Sequence, residues 1–297
     1  MKKPVATPQV LKLGLPAGSL KEMTLALLKK AGYPFHVASR SYAPVSGDPE
    51  IEARMFRAQE IPRYVGDAHF DAGFTGQDLV AEAGVEIKEV ETFMYARSGF
   101  GRIRLVLAVP NDSPIRTVKD LQGKRVATED VNLTRKFLAS HGVRAEVEFS
   151  WGATEAKVPD LVDAIVDRTE TGSSLRANNL RVVAEIMQSV TVLIANTGSW
   201  KNPWKRAKIE EIAMLLRGAM VAETMVGLKM NVPKKGLKKV LGILPAMKRP
   251  TVSPLSDPAW VSLETVIEER EVRRLILKLK GAGAQGLVEY PLNKVIP

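Results

Sequence analysis

Short apolar runs alternate with helical periodicities along most of the chain. Leu11 to Leu15 reads as a strand. It leads through Pro16-Ala17-Gly18-Ser19 into a helix whose apolar positions are Leu20, Leu27, Leu28 and Ala31. Ser19 and Glu22 have capping-box spacing, and Gly32 stands where a C-terminal cap belongs. A second strand-to-turn passage, from Phe70 through Thr75-Gly76 to Asp78, precedes a helix over Leu79 to Ala83. Ile103 to Val109 and Val190 to Ala195 are further β segments, and Trp200 to Leu216 is helical. This alternation predicts an α/β architecture, in which ligands gather where strand ends open into helices.

Beyond Glu223 the rhythm changes. The pattern predicts strand Val226 to Val232, helix Lys235 to Leu244, a strand near Thr251, strand Trp260 to Ile267, helix Val272 to Leu279 and strand Gly286 to Tyr290. The order βαββαβ is that of a ferredoxin-like module. Such an appendage serves assembly alone or senses a small molecule.

The chemistry concentrates between Asp163 and Leu175. Ile165 and Val166 lead into Asp167, then a Thr171-Gly172-Ser173-Ser174 turn, then a new apolar periodicity through Leu175, Ala177 and Leu180. That predicts strand, loop and helix. A loop at a helix start offers unpaired N–H groups, Gly172 lets the backbone approach an anion, and three hydroxyls add donors. Asp167 is placed to accept hydrogen bonds from the vicinal hydroxyls of a phosphorylated sugar. The loop is therefore either a monophosphate cradle or an ordinary strand-to-helix turn, since most Thr-Gly-Ser turns bind nothing. It resembles the acidic-x-x-x-Thr-Gly loop of phosphoribosyltransferases, with Val166 in place of the first of two acids.

Composition narrows the field. At 297 residues the chain has room for two or three domains. Forty-three Lys and Arg against 33 Asp and Glu give a formal charge of +10, which suits anionic ligands or simply solubility. The charges are dispersed, with no basic block, aromatic-basic signature or zinc-finger spacing, so no nucleic acid is expected as a partner. The absence of cysteine excludes disulfides and thiolate chemistry and fits a cytoplasmic address. No apolar run approaches the ~20 residues of a membrane span, so no membrane is expected either. His36, His69 and His141 are too scattered to suggest a metal site.

Further segments add to that loop: Pro16 to Leu20, Arg57-Ala58-Gln59-Glu60-Ile61-Pro62, Asp71 to Asp78, Ala127-Thr128-Glu129, Gly152-Ala153-Thr154-Glu155, the Asp163-to-Asn178 block and Arg249-Pro250-Thr251-Val252-Ser253. Taken in order, they resemble ATP phosphoribosyltransferase in its long form, the first enzyme of histidine biosynthesis. The resemblance implies a two-lobed, periplasmic-binding-protein-like (type II) α/β catalytic core and a C-terminal ferredoxin-like regulatory domain. Residues 1–99 and 196–222 would form the first lobe, 100–195 the second, and 223–297 the regulatory domain. The crossings between lobes are expected near Ser98 to Arg102 and Ser189 to Asn196.

That family joins N1 of the ATP adenine to C1 of phosphoribosyl pyrophosphate (PRPP), with Mg2+ on the diphosphate. By resemblance, Thr171, Gly172, Ser173, Ser174 and Leu175 hold the PRPP 5-phosphate and Asp167 its ribose. Asp163 either joins them or is structural. Arg57 and Arg40 occupy leaving-group positions, with a solvated surface arginine the alternative for Arg40. Gly18, Ser19 and Leu20 offer N–H groups to phosphate. Asp78 and Glu155 either contact ligand or cap helices. The usual first loop, Pro-Lys-Gly-Arg-Leu, is here Pro16-Ala17-Gly18-Ser19-Leu20, so its two cations must be replaced from elsewhere. The implied effector is L-histidine, near Asn231, Met247, Thr251, Gly283 and Gly286, and the implied assembly is a homohexamer. The rival readings are a non-catalytic bilobal solute-binding protein and the effector module of a transcription regulator.

Overall fold

The computed structural model describes residues 9–96, 99–245 and 250–296. Ser98, Met247 and Arg249, all named above, lie outside the described residues. Two compact units are distinguished. One is residues 33–213 with the chain up to Ala26; the other is residues 27–32 with 214–297.

In the first unit the chain runs β1 (Leu11–Ala17), α1 (Lys21–Ala31), β2 (Ile51–Arg57), α2 (Ile61–Gly66), β3 (Ala72–Gly76), α3 (Gln77–Ala83) and β4 (Lys88–Phe93). A second set follows: β5 (Ile103–Pro110), β6 (Arg125–Thr128), α4 (Val131–Ser140), β7 (Glu146–Phe149), β8 (Ala164–Thr169), α5 (Ser173–Ala177) and β9 (Leu180–Ser189). The chain then returns through β10 (Thr191–Ala195), α6 (Thr197–Lys201) and α7 (Pro203–Ala222). The boundary between the units falls within α1 and α7.

The two five-stranded sheets share one plan, β2-β1-β3-β10-β4 and β7-β6-β8-β5-β9. Three strands of each are parallel. The first long strand after each crossing, β5 or β10, enters the new sheet antiparallel between the third and fifth strands in that order. Each sheet with its helices is a lobe, and the carboxyl ends of β1, β2, β3, β6 and β8 open toward a common cleft, the place where open α/β sheets bind ligands.

The core explains why β5 is apolar from Leu105 to Val109. Leu105, Leu107 and Val109 pack with Val126, Leu138 and Val166 on one face of the sheet. Val106 and Ala108 pack with Ala127, Ile165 and Leu175 on the other, as expected for a strand covered on both sides. The expected helix after the phosphate loop is only five residues long, and Leu180 opens β9 instead of continuing it. Register shifts at Val182/Ala184 and Glu185/Met187 break the period-two alternation that would have marked β9 as a strand.

The second unit holds β11 (Met225–Pro233), α8 (Leu237–Leu241), β12 (Thr251–Pro254), β13 (Trp260–Glu268), α9 (Glu269–Gly281) and β14 (Gln285–Pro291). Its sheet order β12-β13-β11-β14 is antiparallel throughout, the ferredoxin-like arrangement. Residues 234–236 form a tighter 3-10 turn, so α8 is shorter than the periodicity predicted. Leu228, Met230, Val232 and Leu263 pack with Val272 and Leu279 of α9. Leu263 is fully buried, so Leu263→Ala should destabilise this unit by ~2–5 kcal/mol, lost transfer energy plus a cavity. Denaturant melts of the full chain would read the change, and a loss below ~1 kcal/mol would mean that the unit repacks around the gap.

Candidate active site

The first lobe supplies a wall of backbone and two cations. Gly18 takes φ +85°, a left-handed turn that favours glycine, and with Ala17, Ser19 and Leu20 it lines the cleft. The end of β2 carries Arg54 and Arg57 to the same wall. The chain after Arg57 is fixed by two bonds. Arg57 N donates to Glu60 Oε2 at 3.2 Å, and the buried Thr75 hydroxyl donates to Ala58 O at 2.8 Å. Among the described residues no carboxylate pairs with the Arg57 guanidinium, whereas Arg54 lies 3.3 Å from Glu52. Arg54 and Arg57 thus bring two cations to the same wall as the altered first loop, and Arg54 was not evident from the sequence.

Arg40 does not share that wall. It sits in an exposed turn at φ +60°, and Ser41, Tyr42 and Ala43 reach the cleft in its place.

The second lobe supplies the loop between β8 and α5, the candidate phosphate cradle. Gly172 takes φ +73°, a left-handed conformation that favours glycine, and a Cβ there would stand 2.9 Å from Arg176 Nη1, so the arginine would have to shift. Its N–H donates to Thr169 Oγ1 at 2.8 Å, and Arg176 Nη1 donates to Thr171 O at 2.9 Å. Among the described residues no backbone acceptor takes the N–H of Ser174 or Leu175. Thr171, Ser173 and Ser174 line the cleft beside Asp167. The Leu175 side chain is buried in the lobe's core, so only its backbone faces the loop. Glu155 bonds the Ser174 hydroxyl, bracing the loop from outside the cleft lining.

Asp163 is too far away to take part. It precedes β8 at the end opposite the loop, some ~20 Å of strand distant. There it accepts from Arg125 N at 2.9 Å and Lys124 Nζ at 3.1 Å, which holds its carboxyl below the usual range. It is a structural carboxylate.

Asp78 lines the cleft, but its lone pairs are committed. One oxygen accepts from Ser189 Oγ at 2.6 Å and the other from Arg168 Nε. Arg168, which sequence reasoning passed over, also donates to Asp130 and, at 3.3 Å, to Glu129 Oε2. Burial and this crowd of acids push Asp130 up to about 7, with Arg168 opposing, and its Oδ2 has no hydrogen-bond partner. Burial likewise raises Asp167 to about 6, opposed by the Arg168 backbone N–H and assisted by Glu155.

The cleft encloses about 1330 Å³, room for two nucleotide-sized ligands together. Its charged lining comprises Arg54, Arg57 and Arg168 against Glu60, Asp78, Glu129, Asp167 and Glu170. Acids outnumber arginines, which sets a condition on any polyanion that enters.

In the other unit Asn231 and Thr251 lie on the sheet face opposite the apolar core, Asn231 level with Ser262 and Thr251 with Glu264. Gly286 takes φ +56° within reach of the Asn231 amide, and Gly283 takes φ +98°.

Comparison with known proteins agrees with this architecture. The sequence model of the family described as ATP phosphoribosyltransferase matches residues 57–218, and its C-terminal domain matches 222–294. The ATP phosphoribosyltransferase of Thermodesulfovibrio yellowstonii is 57% identical, the alignment covering 97% of this chain and 99% of that one. That of Desulforudis audaxviator is 58% identical over 97% and 99% respectively. Among solved structures, the ATP phosphoribosyl transferase (HisG:HisZ) complex from Thermotoga maritima superposes with a TM-score of 0.59 at 28% identity, covering 70% of this chain and 98% of that one. Fold, cleft and relatives thus define a pentosyltransferase with two catalytic lobes. The chain belongs to the ATP phosphoribosyltransferase family, in the form that carries its own C-terminal domain.

Proposed function

We propose that the cleft holds PRPP and ATP together and joins C1 of the ribose to N1 of the adenine, releasing pyrophosphate. The carrying observation is the pairing of a glycine-cornered loop and Asp167 on one wall with Arg57 on the other, whose guanidinium has no carboxylate partner among the described residues. The loop takes the 5-phosphate and Asp167 the ribose hydroxyls. C1 then faces the first lobe, where Arg57 meets the diphosphate.

Displacement at an anomeric carbon passes through an oxocarbenium-like state, so the protein's work is positioning two polyanions and stabilising the charge that grows on the leaving oxygen. The acid excess of the lining makes magnesium a fitting companion. Among the described residues no cluster of three His, Cys, Asp or Glu forms a cage, so the ion would enter on the diphosphate of the substrate. There it would offset part of the diphosphate charge. Incubation with ATP, PRPP and Mg2+ should change the adenine absorbance and release pyrophosphate in equal amount. Pyrophosphate without an adenine change would indicate hydrolysis and refute the reading.

A pH limb follows from Asp167. Its carboxyl, raised to about 6, is ionised at neutral pH and becomes protonated as pH falls, losing half its acceptor capacity toward the ribose. Below about pH 6, kcat/KM for PRPP should fall by up to roughly ten-fold per pH unit. A profile flat down to pH 5 would remove Asp167 from the ribose site.

The C-terminal unit carries control in this reading. L-Histidine binds on the face bearing Asn231 and Thr251, close to Gly286, and favours a less active arrangement of a homohexamer. Histidine should therefore lower kcat at saturating PRPP. Inhibition that PRPP fully overcomes would put the effector in the cleft instead. Among the described residues no helix is long and apolar enough to cross a membrane. A cytoplasmic enzyme without nucleic-acid partners completes the proposal.

A further inference from the structure

Arg168 stands where the two lobes meet, and its environment is unlike that of any other arginine in the cleft lining. It is mostly buried at the end of β8, directly after Asp167. Its Nε binds Asp78 of α3 in the first lobe, while Nη1 and Nη2 bind Glu129 and Asp130 at the end of β6 in the second. Burying a guanidinium is costly unless carboxylates surround it in good geometry, and here three do so from both sides of the cleft.

A second link lies one helical turn further along α3. Glu82, four residues after Asp78, accepts from Asn132 N at 3.0 Å and Leu133 N at 2.8 Å, the open N–H groups at the start of α4. Asn132 Nδ2 also donates to Glu82 O at 3.1 Å. Asp78 and Glu82 thus share the side of α3 that meets the second lobe.

We propose that Arg168 and α3 form a latch that sets the closure of the cleft and thereby the placement of Asp167, making Arg168 a positioning residue for PRPP. In this role it acts through the position of Asp167. Because residues 167 and 168 are adjacent on one strand, their side chains leave opposite faces, and locking one fixes the other. Opening the latch would let the β8 end, and with it the ribose carboxylate, move relative to Arg57.

The inference rests on the proposed reaction, so its test reads PRPP binding as well as turnover. Calorimetry with PRPP and Mg2+ is compared for the wild type, Arg168→Met, Arg168→Lys and Glu82→Ala. Arg168→Met should weaken PRPP by about ten-fold or more, the scale of a lost charge-assisted bond, with ATP affinity changed less than about two-fold. Arg168→Lys should recover part of the loss because it restores charge without the fork. The pH profile separates positioning from mere folding. The charges that bear on Asp167 are Arg168, Glu155 and Glu129, so removing Arg168 should move the acid limb of PRPP binding upward.

Should Arg168→Met not fold, Glu82→Ala, which leaves the buried guanidinium paired, should still weaken PRPP by about three-fold or more. Unchanged PRPP affinity in folded Arg168→Met, an unmoved acid limb, or unchanged affinity in Glu82→Ala would each overturn the latch. A wild type that binds PRPP but forms no adduct would refute the reaction and leave the latch standing.

Discussion

Arg57→Ala is expected to lower kcat by roughly 10²–10³-fold while changing the Michaelis constants for ATP and PRPP far less. The side chain ends β2 on the cleft wall, and among the described residues its guanidinium has no carboxylate partner. A cation left unpaired beside a diphosphate is worth most when negative charge develops on the departing oxygen, and its loss then appears in kcat. Arg54 is a useful control, because its pairing with the exposed Glu52 already takes up part of its charge. Arg54→Ala should act mainly on binding. Steady-state kinetics that show only raised Michaelis constants for Arg57→Ala would make it a ground-state anchor and remove it from the leaving-group role.

Asp167→Asn should reduce kcat/KM for PRPP by about 10–100-fold, the range for one or two charge-assisted hydrogen bonds lost in a buried setting. The carboxylate is partly buried beside the loop, and asparagine keeps its shape while replacing an acceptor with a donor. The substitution should also abolish the acid limb near pH 6, because the group that titrates there has gone. Loss of PRPP efficiency with the limb intact would assign that limb to another carboxyl, Asp130 being the nearest in its titration range.

Local chemistry was legible in the sequence where neighbours in the chain make the structure. The strand, glycine corner and hydroxyls from Ala164 to Ser174 could be read directly, because backbone geometry and donors come from adjacent residues. The tail's βαββαβ order was readable for the same reason. Arg168 was not, since its partners lie 38, 39 and 90 residues away and nothing in Asp-Arg-Thr-Glu distinguishes a buried clasp from a solvated charge. Asp163, for which the sequence allows either role, is the opposite case. It is close to the loop in sequence, but an extended strand carries it to the far end of the sheet. Asp78 could be assigned to the cleft but not to its partners, because Arg168 and Ser189 arrive from another lobe and a crossover. Arg40 shows the limit of carrying a role over by resemblance. A left-handed turn in an exposed loop turns its position away from the cleft lining, whereas Arg54, on a regular strand with alternating burial, reaches it.

The bond that the account requires can be observed directly. PRPP labelled with carbon-13 at C1 and ATP labelled with nitrogen-15 at N1 are incubated with the enzyme and Mg2+ and followed by carbon and phosphorus NMR. The account predicts that the anomeric carbon signal acquires a one-bond splitting from nitrogen-15 while pyrophosphate appears in equal amount. An anomeric carbon that leaves the diphosphate without acquiring that splitting, as in hydrolysis or transfer to another atom, would contradict it.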